Sequence, residues 1–76
     1  MSAKEIFKKL GYEQNIDGFD LSYHKLFGVF ESVIVFDLKY QRISFIHFDD
    51  PDAMSLDEFN AIRKQVDELG WFKKYE

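Results

Sequence analysis

Hydrophobic and polar positions change period twice along this chain of 76 residues. Ile6, Phe7 and Leu10 recur at i, i+1 and i+4, the spacing of an apolar stripe on a helix. From Phe19 the period drops to two. Phe19, Leu21 and Tyr23 alternate with Asp20, Ser22 and His24, as in a half-buried strand. Residues 29–38 place Phe30, Ser32, Ile34, Phe36 and Leu38 on one face and Val29, Glu31, Val33, Val35 and Asp37 on the other. Both faces are apolar at the centre, the mark of a strand covered on both sides. Arg42 to Phe48 alternates again, with Ile43, Phe45 and His47 against Arg42, Ser44, Ile46 and Phe48. From Leu56 the helical period returns: Phe59, Ile62, Val66 and Leu69 form a narrow stripe, and Asp57, Asn60, Arg63, Lys64, Asp67 and Glu68 face water.

Local end signals sharpen these boundaries. Ser2-Ala3-Lys4-Glu5 and Ser55-Leu56-Asp57-Glu58 both fit a capping box, in which the Ser hydroxyl accepts from the N3 amide and Glu reaches back to the cap amide. Leu10-Gly11-Tyr12 and Leu69-Gly70-Trp71 fit a left-handed stop followed by an aromatic that packs back on the helix. The pattern predicts helices over about 3–10 and 56–69. It predicts strands over about 19–26, 29–38 and 42–48, with Tyr12 to Ile16 extended. Asp17-Gly18 and Gly28 mark turns, and Lys39-Tyr40-Gln41 marks a loop of three to four residues. Short connections favour an antiparallel meander. The expected fold is a single α+β domain over 1–76, ordered α-β-β-β-α, with a three-stranded sheet and both terminal helices on one face.

A chain this short buries only about 60% of its unfolded surface. Nine Phe, four Tyr and one Trp add bulk to its core. The absence of Cys excludes a disulfide framework, a thiolate nucleophile and a Cys-ligated zinc. That composition suits a reducing cytoplasm. No apolar leader follows Met1, and Val33-Ile34-Val35-Phe36 is too short to span a bilayer. The net charge of −4 disfavours non-specific binding to nucleic acid or to an anionic membrane.

The segments Ala-Lys-Glu-Ile-Phe-Lys-Lys-Leu-Gly-Tyr (3–12) and Ala-Ile-Arg-Lys-Gln-Val-Asp-Glu-Leu-Gly-Trp (61–71) flank the β-rich middle. In this arrangement the chain resembles a group of small phage and prophage proteins of Gram-positive bacteria. The resemblance rests on both ends and implies context only: a mobile element and the cytoplasm of a bacterial or phage-infected cell. It implies no catalytic residue, because the group's function is unknown.

Candidate chemistry is sparse. His24 and His47 invite a metal site with Asp49 or Asp50. A central strand would hold the two outer strands about 9–10 Å apart, so the histidines are expected at an edge or in solvent. Asp49, Asp50 and Asp52 lack the ligand spacing of a calcium loop and read as a solvated turn before the last helix. No serine sits in a nucleophile elbow, and there is no phosphate loop or dinucleotide fingerprint. Aromatics near Lys25, Lys39 and Arg42 could stack bases, but the acidic balance opposes phosphate contact. The chain is therefore expected to be no enzyme, with no cofactor, no metal, no nucleic acid, no membrane and no small-molecule ligand.

The apolar surplus is the strongest functional clue. Two short helices cover one face of a three-stranded sheet and leave Val29, Val33 and Val35 on the other. Either Trp71, Phe72 and Tyr75 fold over that side and close a compact monomer, or the patch stays open as an interface. These six residues form the candidate protein interface, and strand 42–48 is a further candidate edge that Arg42 would blunt. The expected function is a non-catalytic protein–protein interaction module, binding a protein partner or a second copy. The alternative is an acidic inhibitor that occupies the nucleic-acid site of a host protein. It would present Asp49, Asp50, Asp52, Asp57 and Glu58, with Asp67 and Glu68 further along the helix.

Overall fold

The computed structural model describes residues 1–47 and 53–75. Its order is α1 (Ala3–Lys9), β1 (Glu13–Asp17), β2 (Asp20–Phe27), β3 (Phe30–Asp37), β4 (Arg42–Ile46), α2 (Leu56–Glu68) and a 3-10 turn (Trp71–Tyr75). The fold is α+β, as the periodicity predicts. The sheet has four antiparallel strands in the order β1-β2-β3-β4 rather than three. The extra strand, Glu-Gln-Asn-Ile-Asp, carries little apolar signal of its own. It is held by its ladder with β2, from Glu13 opposite His24 to Asp17 opposite Asp20.

Both helices start as their sequences dictate. Ser2 Oγ accepts from the Glu5 amide at 3.2 Å while the Ser2 amide donates to Glu5 Oε1. Ser55 Oγ accepts from the Glu58 amide at 3.1 Å, and the Ser55 amide donates to Glu58 Oε1 at 2.9 Å. At its end, α1 closes in a Schellman arrangement. The Tyr12 amide reaches the Phe7 carbonyl and the Gly11 amide reaches that of Lys8. Gly70 ends α2 with φ of +76°, a left-handed conformation that a Cβ would strain.

Two-residue turns, Gly18-Phe19 and Gly28-Val29, join β1 to β2 and β2 to β3. Gly28 takes φ of +65° at the first central position, where a primed hairpin turn calls for glycine. Val29 is thus a turn residue and not part of β3. The loop from β3 to β4 spans residues 38–41, within the length the sequence predicts, but it takes in Leu38, which the alternation places in the strand. Asp37 Oδ1 accepts from the Lys39 and Tyr40 amides, and Oδ2 accepts from Arg42 Nη2 at 3.0 Å.

The core lies between the helices and one face of the sheet. Tyr23, Ile34 and Phe45 form one cross-strand row on that face, and Leu21, Phe36 and Ile43 form the next. Phe7 of α1 stacks on Tyr23 with ring centroids 3.9 Å apart and meets Tyr12 and Phe36 edge-on. Ala61, Ile62 and Val66 close it from α2.

The buried face of α2 differs from the one its apolar stripe predicts. Phe59 is 52% exposed and Leu56 is also exposed, whereas Glu58 and Gln65 are buried. Two phenols decide this. Tyr23 Oη donates to Gln65 Oε1, and Tyr12 Oη donates to Glu58 Oε2. A buried hydroxyl left unbonded costs about 1–3 kcal/mol, enough to turn two polar side chains inward.

Candidate functional site

Strand alternation sends Ser22, His24 and Leu26 of β2, Val33 and Val35 of β3, and Ser44 and Ile46 of β4 to the face opposite the helices. The register brings the apolar ones together. Val33 stands directly opposite Ile46. Leu26 pairs with Glu31, which makes it the diagonal neighbour of Val33, within reach of a long side chain. Val35 follows two residues on. Leu26 is 74% exposed and Ile46 62%, while Val33 and Val35 are half-buried by their neighbours. At the end of the patch, Val29 stands out at the hairpin tip with 94% of its surface exposed.

The six sequence candidates divide over this geometry. Val33 and Val35 lie on the open face, and Val29 sits in the turn at the hairpin tip. Trp71 lies on the helix side, with its ring centroid 6.3 Å from that of Phe36. Phe72 lines a groove there with Ile6, Asn60, Arg63, Lys64 and Asp67. Tyr75 closes the 3-10 turn that begins at Trp71. Neither Trp71 nor Phe72 covers the open face. The helix-side placement follows from the left-handed stop at Gly70, which turns the chain back beside α2. Leu26 and Ile46 are the members that residue-by-residue reading passes over. The available signal was their parity: each belongs to the polar-facing series of its own strand, where an apolar residue is out of place.

Polar groups frame the patch. His24 Nε2 lies 3.0 Å from Ser22 Oγ, and His24 Nδ1 lies 3.4 Å from Glu31 Oε1. The order of contacts is that of a hydroxyl–imidazole–carboxylate relay. Ser22, however, is only 6% exposed and its Oγ also bonds the Asn15 carbonyl, so the contacts satisfy a packed hydroxyl rather than present a nucleophile. His47 is on the opposite face, with Nε2 3.8 Å from Glu58 Oε1. The sheet itself therefore separates the two histidines. Among the described residues, no three His, Cys, Asp or Glu side chains converge on a metal position. Phe48, the last residue of the predicted strand 42–48, and Asp49, Asp50 and Asp52, named in the metal, calcium and inhibitor readings, lie outside the described residues.

Beneath the helices runs the polar network that sets α2. Gln14 Nε2 donates to Tyr23 Oη at 3.0 Å, and Tyr23 Oη in turn donates to Gln65 Oε1. Burial, reinforced by the bond to the Glu58 carboxylate and by its charge, pushes the Tyr12 phenol well above its ordinary value. Burial also pushes the Glu58 carboxyl upward. The bonds from Tyr12 and Ser55 outweigh it and hold the group below its ordinary range. Lys25 Nζ sits 5.6 Å from the Tyr12 ring centroid, over its face. The hydroxyls, the carboxylate and the amides of this network satisfy one another.

No family model, curated protein or solved structure matches this chain. Among the described residues no helix is long and apolar enough to cross a membrane.

Proposed function

We propose that this chain is a non-catalytic protein–protein interaction module, an accessory protein of the phage or prophage kind that its end motifs resemble, acting in a bacterial or phage-infected cytoplasm. The observation that carries this reading is the contiguous apolar patch Leu26–Val33–Ile46–Val35 on the sheet face that neither helix covers. Large apolar surface in contact with water is unfavourable by about 25 cal/mol per Å², and covering it with another protein releases that cost. The residues around the patch (Glu13, His24 and Glu31) give it a polar rim, as in protein interfaces.

The acidic-inhibitor reading has fewer carboxylates to present than the sequence suggests. Glu58 is buried on Tyr12, and Glu68 Oε2 accepts from the Ala3 amide at 2.8 Å, tying the two helices together.

The test is site-specific photo-crosslinking in bacterial cells. A photoreactive residue at Leu26 or Ile46 is expected to give a discrete protein adduct that Val33→Asp suppresses. The same residue at Arg63, on the exposed side of α2, is expected to give none. Equal labelling from both surfaces would sink the proposal.

A further inference from the structure

The sheet ends in two edges of opposite chemical character, and the difference singles out an occupant for one of them. Consider each edge strand paired antiparallel with its own copy across a two-fold axis, the closed symmetry most homo-oligomers adopt. For β1 the axis falls at Asn15. Glu13 then faces Asp17 of the second copy, and the same clash repeats on the other side of the axis. Like charges directly opposite are destabilising. The β1 edge is thereby guarded by charge.

For β4 the axis falls at Ser44. Ile43 faces Phe45 of the second copy, twice, and Ser44 faces Ser44. Arg42 faces Ile46. Every pair is compatible. The two Ile43–Phe45 pairs are of the β-branched–aromatic kind that stabilises adjacent strands. Arg42, the one charge on the strand, is already bonded to Asp37 Oδ2 at 3.0 Å within its own chain. Its aliphatic stem is left to cover Ile46 of the second copy. Four of the five β4 residues are exposed, including Ile43 and Ile46. The strand carries no Pro, no Lys and no inward charge, the usual devices against edge pairing.

From this self-complementarity we infer that β4 is a homodimer edge, joining two copies into one eight-stranded sheet. The inference rests on the interaction-module reading and specifies its partner as a second copy. In that dimer the two open faces lie on the same side of the joined sheet, each with its Val33 and Val35 in the strand next to β4 and with Arg42, Ser44 and Ile46 along the seam.

The chain has no cysteine, so one introduced thiol reports its own neighbour. Ser44→Cys lies on the axis and is expected to give a disulfide-linked dimer under mild oxidation. Asn15→Cys, the corresponding position on β1, is expected to stay monomeric on the same gel. By light scattering at micromolar concentration, the unmodified chain is expected to weigh twice 9.1 kDa. Ser44→Lys, which sets two ammonium groups face to face, is expected to return the single-chain mass with an unchanged circular-dichroism spectrum. A strict monomer across the concentration series overturns the inference. So does a dimer that Ser44→Lys leaves intact and Ser44→Cys fails to trap. In either case the open-face reading stands or falls separately, on whether Leu26, which lies away from the β4 edge, gives a protein adduct that Arg63 does not.

Discussion

Tyr12 and Glu58 place a phenol and a carboxylate against each other in the core, 46 positions apart in sequence, and this pair is where single side chains weigh most. A hydrogen bond to a buried charge contributes about 1.5–3 kcal/mol. Tyr12→Phe is therefore expected to lower the urea-unfolding free energy at pH 7 by about that amount. The pair also sets the pH limits of stability. The carboxyl of folded Glu58 lies below its ordinary 4.5, so its contribution is complete above that pH and is lost as the pH falls through the folded value. The phenol of folded Tyr12 lies above its ordinary 10.0, so stability falls again once the pH rises past 10. Glu58→Gln is expected to be less stable than the parent at pH 7, with the difference narrowing as the pH falls below 4.5. A parallel pair of stability curves from pH 7 to pH 3 would contradict that assignment.

Among the elements, α2 shows where a pattern of apolar residues misleads. Its stripe of Phe59, Ile62, Val66 and Leu69 is genuine, but the helix is rotated so that Glu58, Ala61, Ile62, Gln65 and Val66 face the core. Phe59→Ala is accordingly expected to change stability by no more than about 0.5–1 kcal/mol, as at an exposed site. Ile62→Ala is expected to cost about 2–5 kcal/mol by opening a cavity. Thermal and urea denaturation of the two variants side by side would check the rotation. Ser55→Ala removes an observed cap and is expected to cost about 0.5–2 kcal/mol.

At the scale of the whole molecule, the sheet is wider at its base than at its tip. Beyond the row of His24, Val33 and Ile46, β2 and β3 continue in the ladder as a hairpin whose residues Leu26, Phe27, Phe30 and Glu31 are all exposed. The molecule is elongated as a result, about 40 Å by 25 Å by 22 Å. Amides of those four residues are expected to exchange with solvent about tenfold or more faster than those of Tyr23 and Ile34, which lie in the centre of the sheet. Binding at the open face or the β4 edge is expected to slow them. Uniform protection along both strands would argue against a projecting tip.

The features legible in the residue order alone are those that local chemistry controls. Ser2 with Glu5, and Ser55 with Glu58, specify helix starts because a capping box spans only four consecutive residues. Gly11 and Gly70 specify helix ends because the next turn needs a left-handed residue. Alternation assigned Ile34 and Phe36 to one face of a strand and Val33 and Val35 to the other, because side chains in a strand have period two. Tertiary structure decided the rest. β1 is a fourth strand because β2 supplies its hydrogen bonds, whereas the sequence marks Tyr12 to Ile16 only as extended. Glu58 and Gln65 are inside because Tyr12 and Tyr23, from distant elements, bring hydroxyls that must be satisfied. Leu26 and Ile46 met beside Val33 through the register of three strands, and Trp71 settled on the helix side, through contacts between residues far apart in the chain. Such contacts leave no periodic trace in the sequence, because each depends on where a separate element comes to rest.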